Sequence, residues 1–348
     1  MTVVDVAIVG AGPAGLAAAI EARMSQLEVI LIEQHSGPLD KACGEGLMPG
    51  ALPLLERLGV NPVGMDLRGV TYLQGTASVT HRFAHAAGRG VRRTTLHAAL
   101  DARATELGVT RITGKVRTVE EVGDEVQIRL GDPSAGVIRA RYVLGCDGLH
   151  STVARLTGLA VPAKGHHRRF GVRQHYAIAP WTDNIEVYYG PIAEFYVTPV
   201  SEHTVGVAML AAQGTDFATE LERMPALAER LAGVDTASMR RGAGPFKQRT
   251  TARHSGRILL VGDAAGYVDA ITGEGLRLGF AQAREAVRCI VAGHPAEYER
   301  AWRRVTRSFR VLTSGLVVLA TSPARRAIVP LAVRFPRLFG VIVERLAL

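Results

Sequence analysis

The stretch Val3-Val4-Asp5-Val6-Ala7-Ile8-Val9-Gly10-Ala11-Gly12-Pro13-Ala14-Gly15-Leu16, closed by Val29-Ile30-Leu31-Ile32-Glu33, decides the fold. Val3 to Val9 is a short apolar run bounded by glycine, the pattern of a buried strand. Leu16 to Met24 predicts a helix, and Val29 to Ile32 predicts the next parallel strand. Gly10, Gly12 and Gly15 fall at G-x-G-x-x-G spacing between strand and helix, which makes a βαβ unit for an ADP-containing dinucleotide. Gly10 permits the tight turn. Gly12 lets a pyrophosphate approach the backbone, and Gly15 lets the helix pack closely on the strands. The helix N-terminus offers unpaired N–H groups and partial positive charge to the phosphates. Glu33, ending the second strand, is placed to accept hydrogen bonds from a ribose 2′-OH and would repel a 2′-phosphate. FAD or NAD fits this position; NADP does not.

The chain around this unit has 348 residues, 47% hydrophobic and 21% charged, enough for a large core in two closely joined domains. The net charge is +9 and is carried almost wholly by Arg, since only Lys41, Lys115, Lys164 and Lys247 are lysines. Basic charge suits nucleic acid or an anionic membrane surface. The arginines read as dispersed and no nucleic-acid motif accompanies them, so a solvated basic surface is expected and no nucleic-acid partner. Cys43, Cys146 and Cys289 are too few and too scattered for a disulfide framework or a zinc site. Reduced thiols, and an N-terminus that enters the first strand without a signal peptide, point to the cytoplasm. Val311 to Ala320 is apolar but too short to span a bilayer, and Arg325 and Arg326 follow it. Peripheral contact with the inner face of a membrane is left open, as is the oligomeric state.

Further along, Leu52 to Leu58 predicts a short helix, residues 63–83 predict strands, and Arg92 to Leu107 predicts an amphipathic helix ended by Gly108. Strands are expected around Val116–Val122, Val126–Leu130 and Tyr142–Leu144. Residues 166–250 are rich in strand formers: Ile185–Tyr189, Glu194–Val197 and Val205–Leu210 are separated by turn residues and suggest a mainly antiparallel sheet. Phe217 to Leu231 predicts one helix. Arg257 to Val261 returns the chain to the first sheet as a buried parallel strand. A long helix over 275–291 follows, and the last fifty residues predict helices broken by Pro323, Pro330 and Pro336. The expectation is an α/β protein in which residues 1–62, 84–165 and 251–295 form a Rossmann-type dinucleotide-binding domain. Residues 63–83 and 166–250 form an inserted, mainly antiparallel substrate-binding sheet, and 296–348 form a helical C-terminus.

Three further segments point to a family. Val91-Arg92-Arg93-Thr94-Thr95-Leu96 resembles the helix-opening arginine motif of flavoprotein monooxygenases. Cys146-Asp147-Gly148-Leu149-His150-Ser151 resembles their Asp-Gly motif. Gly262-Asp263-Ala264-Ala265-Gly266, continuing to Thr272-Gly273-Glu274-Gly275, resembles the Gly-Asp motif that binds the flavin ribityl chain and sets a helix N-terminus at the pyrimidine ring. In order and spacing the chain resembles the aromatic-hydroxylase (group A flavoprotein monooxygenase) superfamily of FAD-dependent oxidoreductases from end to end. Lys41-Ala42-Cys43-Gly44-Glu45-Gly46-Leu47 and the segment Gly266-Tyr267-Val268-Asp269 resemble its geranylgeranyl-reductase-like branch more than the classical hydroxylases. The lipid-tunnel motif Tyr-x-Trp-x-Phe-Pro of prenyl reductases is here Glu194-Phe195-Tyr196-Val197-Thr198-Pro199, and the Pro usual after Val268-Asp269 is Ala270. No W-x-W-x-I-P segment of halogenases is present.

The resemblance implies one non-covalent FAD. Gly10, Gly12, Ala14, Gly15, Glu33, Gln34 and Val116 would hold its ADP half, and Arg93 would pair with phosphate or ribose. Asp147 would support the pyrophosphate loop. Gly262 and Asp263 would receive the ribityl chain, Gly273, Glu274 and Gly275 would meet the pyrimidine side of the ring, and Cys43 and Gly44 would lie beside the flavin. One fingerprint and no Cys-x-x-Cys argue against a two-nucleotide disulfide reductase, so NAD(P)H is expected as a transient reductant. The leading expectation is a monooxygenase that hydroxylates a hydrophobic, aromatic or polyketide small molecule of secondary metabolism with NAD(P)H and O2. The alternatives are an FAD-dependent reductase of a prenyl or polyene chain, and a flavin-binding protein with a non-redox ligand role. Gln174, His175, Tyr188, Tyr196 and Thr198 are candidate pocket residues. His175 is the candidate base for its near-neutral titration, with an exposed strand histidine as its alternative. Tyr196 and Cys43 complete the catalytic candidates. The C-terminal helices are expected to cover an apolar pocket or rest on a membrane.

Overall fold

A computed structural model describes residues 3–347 apart from 38–39, 133, 135 and 163–168. The opening stretch forms the middle of the first sheet. Its strands lie in the order His254–Ser255, Ile258–Leu260, Val137–Gly145, Val4–Val9, Val29–Glu33, Thr110–Thr113. All pairs from Ile258–Leu260 onward are parallel, with Ile8 opposite Leu144 on one side and Leu31 on the other. A hairpin of Val116–Val122 and Glu125–Leu130 joins the sheet antiparallel at Val137–Gly145. Val6, Ala7 and Ile8 are fully buried because helices cover the parallel sheet, which is why this strand is continuously apolar.

The helices are α1 (Pro13–Met24), α2 (Leu52–Arg57), α3 (Arg93–Glu106), α4 (Thr152–Leu156), α5 (Phe217–Glu222), α6 (Pro225–Leu231), α7 (Gly275–Val291), α8 (Tyr298–Ala320), α9 (Ile328–Arg334) and α10 (Pro336–Ala347). α1 packs against α3 and α7. The helix expected over Phe217–Leu231 is two helices, because Pro225 has no N–H to continue the first and instead opens the second. Pro330 does not break its helix. It sits in the first turn of α9, where a missing N–H costs nothing.

The second sheet has seven strands in the order Arg241–Ala243, Arg169–Tyr176, Thr204–Ala212, Glu194–Ser201, Asn184–Tyr189, Gly69–Gln74, Ala77–Arg82. It is antiparallel except between Asn184–Tyr189 and Gly69–Gln74. The expected boundary at 165/166 lies outside the described residues. Alternate residues serve two cores. Phe195, Val197, Val207 and Met209 face α5 and α6, whereas Val187, Tyr189 and Leu210 face α9 and α10. α10 meets this second face with the Phe339 ring 4.8 Å from that of Tyr72 and with Glu344 2.8 Å from His81 Nε2. α8 packs on α10 through Phe309, Leu312, Leu316, Ile342 and Leu346. Among the described residues no single helix is long and apolar enough to cross a membrane; residues 295–320 and 323–334 pass that test only as a pair bent by 97°.

Candidate flavin-binding site

One cavity of about 610 Å³ runs from the glycine turn to the second sheet. Gly10, with φ 103°, leads out of the first strand, and a Cβ there would stand 2.6 Å from the Cys146 carbonyl oxygen. Gly15 lies behind the turn, and its Cβ would stand 1.8 Å from the Gly10 carbonyl oxygen. It shapes the site by close packing and does not line the cavity. Gly12 does line it, and a Cβ there would meet only Arg93 Nη2, at 3.9 Å. Packing therefore does not require glycine at 12; a ligand approaching the backbone would. Glu33 is fixed by backbone donors: Ala11 N–H reaches Oε2 at 2.8 Å, and the Gln34 and His35 N–H groups reach Oε1 at 2.9 and 3.1 Å. Ala14, Gln34 and Val116 line the same end of the cavity.

Arg93, the first residue of α3, lines the cavity with its Nε buried and unpartnered. Burial lowers its pKa against the opposing pull of Cys43, Asp263, Glu45 and Asp40. Asp263 follows the Ile258–Leu260 strand, and burial pushes its carboxyl up to about 6 although Arg93 and Lys41 favour the anion. Gln248 fixes this turn by donating to the Asp263 and Ala264 carbonyls, and Gly262 N–H donates to Gln282 Oε1. Asp147 lines the cavity and also caps α4, accepting from Ser151 Oγ at 2.5 Å and from the Thr152 and Val153 N–H groups at 2.6 and 3.1 Å. Gly273, at φ 70°, and Gly275 face the cavity at the start of α7. Glu274 between them does not. Its side chain is buried against Arg277, and burial raises its carboxyl to about 7.

Cys43 and Gly44 line the cavity. Burial holds the Cys43 thiol above its ordinary range, with Arg93 opposing, so it is a protonated neighbour and not a thiolate nucleophile. Thr198 donates to the Gly44 carbonyl at 2.8 Å and pins this loop to the second sheet. The loop's central residue, which sequence reading did not single out, is Glu45. It takes φ 60° and is 2% exposed. Its Oε1 accepts from Arg93 N–H at 2.9 Å, at the N-terminus of α3, and its Oε2 lies 2.6 Å from His175 Nε2. His175 is neither an exposed strand residue nor a cavity residue. It is 1% exposed, and its Nδ1 lies 2.7 Å from Ser238 Oγ and 3.0 Å from Arg173 Nη1. With the proton on Nε2 all three contacts are satisfied. Both ring nitrogens are committed, which makes His175 a positioning residue for Glu45 instead of a base facing substrate. Gly206 stands opposite His175 in the neighbouring strand, and a Cβ there would come within 2.9 Å of Glu45 Oε2. A carboxylate held between two glycines, Gly44 and Gly46, was the available signal for Glu45.

The other end of the cavity is apolar and aromatic: Val70, Tyr72, Ile185, Val187, Leu210, Phe246, Tyr267 and Ile271, closed by Val343 and Leu346 of α10. Tyr196 lines it with its hydroxyl donated to the Ile271 carbonyl at 3.1 Å, and burial holds that phenol protonated. Tyr188 and Gln174 lie on the opposite face of the sheet, bonded to Glu186 and Arg240. Tyr72, Val343 and Leu346 are cavity residues that no local motif marks, and Tyr267 lies in the Gly266–Asp269 segment without being singled out there as a pocket residue.

The chain matches the family described as FAD binding domain over residues 3–293. Relatives include the 12-dehydrotetracycline 5-monooxygenase/anhydrotetracycline 6-monooxygenase of Streptomyces rimosus, 27% identical over 80% of this chain and 61% of that protein. The menaquinone reductase of Mycolicibacterium smegmatis is 28% identical over 98% of this chain and 90% of its own. The chain spans about three fifths of the length of the monooxygenases it matches. A flavoprotein/dehydrogenase of Cytophaga hutchinsonii has the same fold, with TM-score 0.85 at 19% identity over 99% of this chain and 93% of that one. The unpartnered Arg93 Nε, the uncrowded Gly12 and the cavity-lining Asp263 fit a flavin dinucleotide. By its match over most of its length and by the residues that line its cavity, the chain belongs to the FAD-binding family of flavoproteins, with FAD as its cofactor.

Proposed function

We propose that this chain is a monooxygenase that uses NAD(P)H and O2 to hydroxylate a hydrophobic, aromatic or polyketide small molecule. The observation that carries this reading is the continuity of the cavity, from Gly12 and Asp263 to the apolar wall of Tyr72, Tyr196, Phe246 and Tyr267. Bound FAD would supply hydride acceptance and oxygen activation. The chain would hold its diphosphate at Gly12 and the N-terminus of α1, its ribose at Glu33 and its ribityl chain at Asp263, without a covalent link. The aromatic wall would orient a flat substrate and exclude water. The named relatives that act on tetracyclines and rifampicin support this choice of substrate class. So does the replaced lipid-tunnel segment, where Tyr196 and Thr198 stand in the wall in place of Trp and Phe, their hydroxyls tied to the Ile271 and Gly44 carbonyls.

The test is oxygen uptake coupled to NADH or NADPH oxidation on adding candidate polyphenols and polyketides. Substrate-dependent uptake with a hydroxylated product supports the reading. A second reading, reduction of a prenyl chain, is favoured by the near full-length similarity to menaquinone reductase and by Cys43 in the cavity wall. Anaerobic saturation of an isoprenoid by the reduced protein, with no oxygen-dependent product, would replace the first reading by the second.

A further inference from the structure

We propose that the outer face of α8, α9 and α10 docks on the surface of an anionic lipid bilayer. The first observation is charge. Residues 298–348 carry ten Arg and two Glu, so this segment holds +8 of the chain's net +9. The basic residues are balanced by acids elsewhere and concentrated here. Arg303 and Arg325 have carboxylate partners; the other arginines of this segment have none among the described residues. The second observation is apolar exposure. Thirteen large hydrophobic side chains are exposed among the described residues, and seven of them lie between 311 and 341. Phe335 is 52% exposed, Leu338 59% and Val341 66%.

The two properties share the same surfaces. On α8 the exposed residues recur at helical spacing as Arg300, Arg304, Arg307, Val311, Ser314 and Val318, a basic half followed by an apolar half. Between α9 and α10 every residue of Val333-Arg334-Phe335-Pro336-Arg337-Leu338 is exposed, a phenylalanine and a leucine flanked by arginines. Apolar side chains beside unpaired arginines are what an interfacial helix presents to acyl chains and anionic headgroups. A two-fold contact between copies would instead bring two such basic faces together. Among the described residues no single helix is long and apolar enough to cross a membrane, and the exposed arginines interleaved with the apolar side chains of the pair bent by 97° suit a bilayer surface better than its interior. The docked face lies over the cavity, because α10 turns Val343 and Leu346 into it while Leu338 and Val341 face out.

The experiment is co-sedimentation of the full-length holoprotein with phosphatidylcholine vesicles, with and without phosphatidylglycerol, at low and high salt. Binding is expected only with phosphatidylglycerol, weakening at high salt. The pairs Phe335→Ser with Leu338→Ser, and Arg334→Glu with Arg337→Glu, should each lower the bound fraction about tenfold or more while keeping wild-type flavin content. Absence of binding to phosphatidylglycerol vesicles at low salt would overturn the proposal, as would binding that neither pair changes. Concentration-dependent self-association abolished by Phe335→Ser with Leu338→Ser, without vesicle binding, would overturn it in favour of a second copy on this face.

Discussion

Asp263 carries the clearest electrostatic consequence at the scale of one residue. The folded protein without FAD holds its proton to about pH 6, whereas the ordinary value is 3.8. That group therefore favours folding of the apoprotein in acid, and its contribution is lost as pH rises from about 4 to about 6. Ribityl hydroxyls held there as proposed would donate to the carboxylate and favour the anion, so FAD binding below pH 6 would expel the proton. FAD affinity should weaken by up to about tenfold per pH unit below 6 and level off above it. Fluorescence titration of apoprotein with FAD checks this, and Asp263→Asn should bind more weakly with a flat profile. A second consequence concerns Glu45, whose buried carboxylate depends on His175. His175→Ala strands that oxygen and should cost about 3 kcal/mol in urea unfolding. His175→Gln, whose amide can reach the same oxygen, should recover part of that loss. Unchanged stability in His175→Ala would show that water replaces the imidazole. The places of Gly12 and Glu33 beside the cavity were legible because local spacing marks them, and that of Asp263 because its segment resembles a family motif. The Glu45–His175 contact was not, because it joins residues 130 positions apart on a loop and a strand.

The elements show a similar division between local and long-range information. The first strand, α1 and α7 follow from apolar runs, glycines and periodicity, and α7 begins and ends where the sequence predicts. The face of a strand is harder to read, because period two says which residues alternate and not which set faces which core. Tyr188 and Gln174 were candidates on those terms and point away from the cavity; Tyr196 and Thr198 point into it. The join between turn and α1 gives a test in which two effects oppose. Helix propensity favours Ala over Gly at position 15 by about 1 kcal/mol. The added methyl would stand 1.8 Å from the Gly10 carbonyl oxygen, a backbone atom that cannot rotate away. The clash wins, and Gly15→Ala should lose about 2 kcal/mol or more of stability. FAD affinity should fall with it, since α1 must shift from the turn that would receive the diphosphate. Thermal melts and FAD titration measure both losses. A more stable variant with intact affinity would mean that α1 can slide without disturbing the site.

For the molecule as a whole, the cavity belongs to both sheets. Its glycine turn and Asp263 come from the ends of the parallel sheet's strands, Tyr72 and Tyr196 of its aromatic wall from the antiparallel sheet, Phe246 and Tyr267 from the connecting segments, and its cover from α10. Short contacts cross between them at Thr198 to Gly44, His175 to Glu45 and Tyr196 to Ile271. The composition of the C-terminal helices announced that they cover something apolar. What they cover depends on where the Gly69–Gln74 and Ala77–Arg82 strands end in the second sheet, which no local pattern specifies. A ligand held by both sheets stabilises them together. At one hundred times its dissociation constant, FAD should add about 2.7 kcal/mol to unfolding. If the sheets are coupled through the cavity and these contacts, the gain should appear as an upward shift of one transition, seen alike by flavin release and by far-ultraviolet circular dichroism. Two transitions, of which only one moves with FAD, would mean that the antiparallel sheet and its helical cover fold independently of the cofactor. His175→Ala should then widen the separation between them, since it cuts one of the contacts that cross between the sheets.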